Sequence, residues 1–144
     1  MRLTLETDYA IRIVDYLAKE KNITRSREIS EKSNVPLRFA KNILQKLTRK
    51  KIVTSYKGAY GGYILGKNAE DISLYDVIEA TNDYIEINRC HLKGKGCPCM
   101  TEEGCPYYKI FTEASLDLEN RLRKARFGTL VYGLQMVEER RKSS

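Results

Sequence analysis

The stretch from Cys90 to Cys105 constrains this chain most, because it gathers all four cysteines and the single histidine, His91. Between them stand mainly glycines, lysines and glutamates, with one proline and too few apolar side chains to hold a loop by packing. Thiols collected on a polar, glycine-rich loop are ordered by something that binds sulfur, either a metal or a set of disulfides. The opening residues, Met-Arg-Leu-Thr-Leu-Glu-Thr-Asp, contain no apolar signal region. No run approaches the ~18 apolar residues of a membrane span. The expected compartment is therefore the cytoplasm, where thiols stay reduced and metal ligation is favoured over a disulfide framework.

Charge divides the chain in two. Residues 1–67 carry 15 Lys or Arg against 6 Asp or Glu, a balance of +9, whereas residues 68–144 carry 11 against 13, a balance of −2. From Lys32 to Ala69 there are nine cations and no carboxylate. A solvated face normally mixes both signs, so this stretch points to a polyanionic partner, with chance clustering for solubility as the competing reading. At 144 residues the chain is long enough for one core with an extension.

The hydrophobic period predicts a first helix over about Thr7 to Glu20, with Tyr9, Ile13 and Leu17 on one stripe beside Ala10 and Val14. Glu6 and Asp8 lie at its start, where carboxylates suit the helix dipole. A short helix follows over about Ser26 to Ser33, with Thr24 or Ser26 as N-cap and Asn34 as the left-handed residue that ends it. Pro36 opens a third helix, in which Phe39, Ile43 and Leu47 form a row with Ala40 and Leu44. Its open face carries Arg38, Lys41, Asn42, Gln45 and Arg49. Two short helices, a tight turn and a basic second helix describe a helix-turn-helix.

A hairpin comes next: Ile52 to Tyr56 reads as one strand and Gly62 to Leu65 as its return, around Lys57-Gly58-Ala59-Tyr60-Gly61. A basic, glycine-rich hairpin after a helix-turn-helix is a wing, with Lys57 and Tyr60 placed to meet phosphates or the minor groove; a hairpin whose tip touches nothing is the alternative. Ser73 and Asp76 form a capping box for a helix through Leu74, Val77 and Ile78 to Thr81. Pro106 starts the longest helix, to about Arg126, with Ile110, Ala114, Leu118 and Leu122 along one face. Gly128 is expected to end it and Thr129 to cap a final short helix before a basic tail. The fold class expected is thus mainly α, a winged helix-turn-helix with a long C-terminal helix. That helix lacks an obvious intramolecular partner and is expected to pack on its own copy, giving a two-fold homodimer; folding back on its own domain is the alternative. The divisions expected are 1–82 for the winged domain, 83–105 for the cysteine loop and 106–144 for the dimerisation helix and tail.

These pieces resemble the IscR/NsrR type of winged-helix regulators, many of which carry an iron–sulfur cluster. The resemblance rests on Met1-Arg2-Leu3-Thr4 with Thr7-Asp8-Tyr9-Ala10-Ile11-Arg12, on Glu28-Ile29-Ser30, on Gly61-Gly62-Tyr63-Ile64-Leu65, on Ile72 through Ile78, and on the cysteines. It implies a homodimer that grips a palindromic promoter site in double-stranded DNA through the third helix and wing, with Arg25, Arg38, Lys41, Asn42, Gln45, Lys57 and Tyr60 as candidate contacts. It also implies a [2Fe-2S] or [4Fe-4S] cluster beside the dimerisation helix. Typical members use three cysteines five or six residues apart. Here Cys90, Cys97, Cys99 and Cys105 compete for three places, and Cys97 and Cys99 stand too close together to chelate one iron comfortably. Some members complete the set with a histidine where this chain has Tyr108, others with an aspartate of the other subunit's first helix, which corresponds to Asp8. Members that read bases with the third helix often carry an acid where Lys41 stands; a lysine favours guanine or phosphate instead. His91, adjoining Cys90, is read as a bystander.

Thiolate-rich sites take zinc, copper(I) or iron–sulfur clusters. No Cys-x₂₋₄-Cys pair is present, which disfavours structural zinc. Cluster-free thiols, redox-active or answering to a protein partner, remain an alternative. An enzyme is not expected, because no nucleophile–base motif, phosphate-binding glycine loop or paired-carboxylate motif occurs.

Overall fold

Thr4 sets the start of the first helix. Its hydroxyl accepts from the Thr7 N–H at 3.2 Å, so α1 runs Leu5–Lys19, two residues ahead of the expected start. In this computed structural model residues 2–81, 85, 87, 105–130 and 142–143 are described. Ala10, Ile13, Val14 and Leu17 of α1 are buried as their spacing requires, while Tyr9 lies at the margin.

Helix α2 spans Ser26–Ser33, and Asn34 ends it in the left-handed region at φ 54°. Neither Thr24 nor Ser26 caps it; Arg25 occupies the N-cap with no side-chain bond. Thr24 is employed elsewhere: its N–H donates to the Tyr63 carbonyl at 2.9 Å and its carbonyl accepts from Tyr63 N–H at 2.8 Å. Helix α3 covers Leu37–Arg49 with Pro36 as N-cap, one position before the helix proper. Ala40, Ile43, Leu44 and Leu47 are buried, but Phe39 is 46% exposed. At 100° per residue Phe39 falls on the flank of α3, and its ring meets Tyr9 edge-on at 5.7 Å.

Strands β1 (Val53–Tyr56) and β2 (Gly62–Leu65) pair antiparallel, Val53 opposite Leu65 and Tyr56 opposite Gly62. Ile52 precedes the strand and is buried, its N–H donating to Leu47 at 3.0 Å. After a 3-10 turn at Ala69–Asp71, helix α4 (Leu74–Ala80) begins with the expected capping box: Asp76 N–H to Ser73 Oγ at 3.1 Å, Ser73 N–H to Asp76 Oδ2 at 2.9 Å. A buried hydrogen bond of 2.7 Å between the Thr7 and Thr81 hydroxyls ties α1 to the end of α4.

Helix α5 (Pro106–Lys124) stops short of the expected Arg126. The chain there is drawn back onto the winged domain: Leu74 N–H donates to Ala125 at 2.9 Å, Phe127 N–H donates to Ile72 at 3.0 Å, and the Phe127 ring enters the core. A new helical turn has already begun at Phe127, so Thr129 lies inside it and does not cap it. Gly128 is no terminator either. A Cβ there would come within 2.8 Å of the Glu70 backbone nitrogen, so the position serves close packing against the 3-10 turn. Most of the final helix and basic tail lie outside the described residues.

Among the described residues, most of α5 finds no cover. Tyr107 and Ile110 are 68% and 60% exposed, and only Ser115 is buried. Its contact with α4 is carried near its C-terminus, where the Arg123 guanidinium stacks 3.7 Å from the Tyr75 ring centroid and pairs with Glu119 at 2.8 Å. No helix among the described residues is long and apolar enough to cross a membrane.

Candidate nucleic-acid interface

Helical geometry puts Arg38, Lys41, Asn42, Gln45 and Arg49 within an arc of about 100° on α3, opposite the buried row. All five are exposed. Lys46 lies at the edge of that arc and is taken out of it: its Nζ donates to Glu6 on α1 at 2.6 Å, with both side chains mostly buried. Among the described residues Arg38, Lys41, Arg49 and Lys57 have no ion pair, in contrast to Arg12, Lys19, Lys46 and Arg123. The first turn of α3 contains no acid and its N-cap makes no side-chain bond. Cations there face the positive end of the helix dipole, an arrangement unfavourable in isolation and relieved by an incoming anion.

The hairpin stands beside this face. Gln45, Thr48 and Arg49 of α3 line a shallow cleft of about 210 Å³ together with Ser55 and Tyr63 of the strands. At the hairpin tip Tyr60 is 96% exposed and Lys57 is exposed beside it; Gly58 turns the chain at φ 101°. Gly62 lets the hairpin seat on the start of α2, where a Cβ would fall 2.5 Å from the Thr24 carbonyl oxygen. Arg25 extends across the same junction and donates from its guanidinium to the Ala59 carbonyl in the hairpin tip. Nothing in the one-dimensional pattern marks that last contact, which joins residues 34 apart. Thr48 and Ser55 in the cleft were likewise without a sequence signal.

Of the candidate metal ligands, Cys105 is described. It is a free, half-buried cysteine at the N-cap of α5, where it makes no capping bond. Cys90, Cys97, Cys99 and His91 lie outside the described residues. Asp8 sits in the first turn of α1, half exposed, and pairs with Arg12 at 2.8 Å; Arg12 also reaches the Asn34 carbonyl at 3.4 Å. Among the described residues no three His, Cys, Asp or Glu side chains come together as a metal site.

A basic, unpaired helix face flanked by a two-stranded wing on a small helical core defines a winged helix-turn-helix protein. A family model described as Rrf2, an iron-dependent transcriptional regulator, matches residues 3–133. The chain belongs to the Rrf2 family. The HTH-type transcriptional regulator IscR of Klebsiella pneumoniae (strain 342) is 28% identical over 140 residues, covering 96% of this chain and 84% of that protein. IscR of Escherichia coli (strain K12 / DH10B) is also 28% identical, over 96% of this chain and 85% of its own length. Among solved structures, CymR (YrzC), the global cysteine regulator of B. subtilis, superposes with a TM-score of 0.74 at 19% identity, covering 92% of this chain and 97% of that one. T. potens IscR follows the same fold with a TM-score of 0.70 at 18% identity, covering 93% and 88%. The relatives are transcriptional regulators, which places this chain with DNA-binding regulators and not with enzymes.

Proposed function

We propose that the chain is a homodimeric regulator that grips a palindromic promoter site with α3 and the wing, and that a cluster on its cysteine loop sets the affinity. The observation that supports this reading is the α3 face: five polar or cationic side chains, exposed, without a carboxylate partner among the described residues, next to a wing with Lys57 and Tyr60 at its tip. Arg38, Lys41 and Lys57 neutralise phosphates or reach guanine edges, Asn42 and Gln45 supply amide donors and acceptors for base edges, and Tyr60 enters the flanking groove. The proposed division is 1–82 for DNA binding, 83–105 for the cluster loop and 106–144 for dimerisation, the last through the uncovered apolar face of α5.

The donor set suits an iron–sulfur cluster: four soft thiols, one of them at the N-cap of a long helix and free of any disulfide or capping bond. Cys90, Cys105 and one or both of Cys97 and Cys99 would hold it, with Asp8 of the other copy as the remaining candidate. When bound, the cluster would supply redox chemistry and sensitivity to oxygen, nitric oxide or iron supply. With their sulfurs engaged, the loop cysteines would be tied to the start of α5 through Cys105, which would restrain the angle between two winged domains.

Two measurements test the reading. Binding to a promoter duplex should fall steeply with salt and disappear in the Arg38→Glu/Lys41→Glu double variant; retained binding removes α3 as the reader. Anaerobic reconstitution with iron and sulfide should give a visible chromophore in the wild type and a weakened one in Cys90→Ala. A colourless reconstituted wild type retires the cluster and leaves thiol chemistry as the control.

A further inference from the structure

We infer that Arg25 works as a positioning residue, fixing the wing tip for DNA through the Ala59 carbonyl and making no DNA contact of its own. The inference rests on the reading of the wing as a DNA-binding element. Arg25 is the N-cap of α2 and gives that helix no side-chain bond. Its guanidinium is spent instead on Ala59, in the middle of the turn that carries Lys57 and Tyr60. The contact continues a seam. Thr24 and Tyr63 exchange two backbone hydrogen bonds at 2.9 and 2.8 Å, and Gly62 lies flush against Thr24 and the Arg25 nitrogen.

The seam fixes β2 to the helix-turn-helix at Tyr63, one rung below the turn, because Tyr63 stands opposite Ser55 and Gly62 opposite Tyr56. Beyond it lie only the Tyr56–Gly62 rung and the five-residue turn from Lys57 to Gly61, which no strand pairing holds. The tip turn is closed by the Gly61 N–H donating to Gly58 at 3.0 Å, which shapes the turn without aiming it. Arg25 is the one side chain among the described residues that reaches from the helical body to that turn by a hydrogen bond. A rigid fork on a carbonyl suits arginine, with its several donors in one plane, better than lysine. Aiming the tip before DNA arrives lowers the ordering cost of binding.

The test is a double-mutant cycle on a duplex that the wild-type chain selects from a randomised pool. Arg25→Ala should weaken binding by roughly threefold to tenfold, the range for one hydrogen bond's worth of preorganisation. In the Lys57→Ala/Tyr60→Ala background, where the tip has nothing left to position, adding Arg25→Ala should change neither the affinity nor the salt slope. A direct phosphate contact predicts the opposite: a further loss, with the slope falling by about 0.9 for each contact removed, and that result overturns the inference. Arg25→Lys keeps the charge and should behave like Arg25→Ala; wild-type affinity in Arg25→Lys, whose ammonium still serves a phosphate, also overturns it. Should Lys57→Ala/Tyr60→Ala itself bind like wild type, the wing reading falls and the inference falls with it. The site is exposed, and unchanged thermal melts of each variant separate positioning from misfolding.

Discussion

Substituting Gly62 by alanine should unseat the wing, and the structure gives the scale. The new Cβ would lie 2.5 Å from the Thr24 oxygen, 2.7 Å from its carbonyl carbon and 3.1 Å from the Arg25 nitrogen. All three are backbone atoms at the start of α2, so no rotamer change relieves the clash. The hairpin must lift. Overpacking of this kind costs about 1–3 kcal/mol. The two Thr24–Tyr63 bonds stretch or break as the hairpin lifts, at about 0.5–1.5 kcal/mol each. Partial relaxation overlaps these costs, leaving a net loss of about 2–4 kcal/mol and a melting temperature lower by roughly 4–16 °C. Melts must be compared at one protein concentration, because dimerisation would make them concentration-dependent. The hairpin that carries Lys57 and Tyr60 is then misplaced, so affinity for a selected duplex should fall by about tenfold or more, as expected for losing a kilocalorie or two of contact. A variant that melts and binds like wild type would refute the claim that the seam between Thr24 and Tyr63 seats the wing.

Stability should also fall at alkaline pH. Burial, with Glu28 and Glu20 adding, raises the Tyr16 phenol above 10.0, and burial with Glu119 raises that of Tyr75. Because the folded phenols hold their protons more tightly than unfolded ones, stability is full below 10.0 and is lost as pH rises through the raised folded values. Urea melts of Tyr16→Phe/Tyr75→Phe should show a flatter alkaline limb than wild type. Glu6→Gln removes the partner of the part-buried Lys46 and should cost about 1–2 kcal/mol in a urea melt. It should also weaken duplex binding although Glu6 bears the wrong charge to touch DNA; tighter binding through the freed Lys46 would reverse that expectation.

Periodicity made the helical body legible. The spacing of Ala10, Ile13, Val14 and Leu17, and of Ala40, Ile43, Leu44 and Leu47, has one helical solution that buries all of them. Capping chemistry located the start of α4, and the left-handed tolerance of asparagine located the end of α2. What escaped were residues whose task is set by partners distant in sequence. Thr24 looks like a cap and is a sheet rung; Gly128 looks like a terminator and is a packing gap against Glu70, while Phe127 beside it, with no local signal, fills the core. In both cases tertiary contact overrode a local preference worth about 1 kcal/mol. The α3 face was legible for a related reason: residues left over after the buried row is assigned must face outward, and all five are exposed. Lys46 is the exception, and only the fold reveals that Glu6 has claimed it.

The same contacts connect the two ends of the proposed mechanism. Thr81, the last residue of the continuous segment described before the cysteine loop, locks to Thr7 through a buried hydrogen bond. The next residue of α1 toward the N-terminus, Glu6, holds Lys46 of α3. Two short contacts thus separate Thr81 from α3, the helix proposed to read DNA. At the loop's exit, Cys105 begins α5, whose far end is clamped to α4 by Arg123 on Tyr75 and to the core by Phe127. Close-packed helices shift as units and do not deform smoothly, so in the proposed mechanism a change in how the loop is anchored would be passed on as a rotation of α1 and α5. Because Lys46 is tied to α1, such a rotation would drag α3 with it. The angle at which Arg38 and Lys41 meet a duplex is then set by the body that carries them as well as by α3 itself.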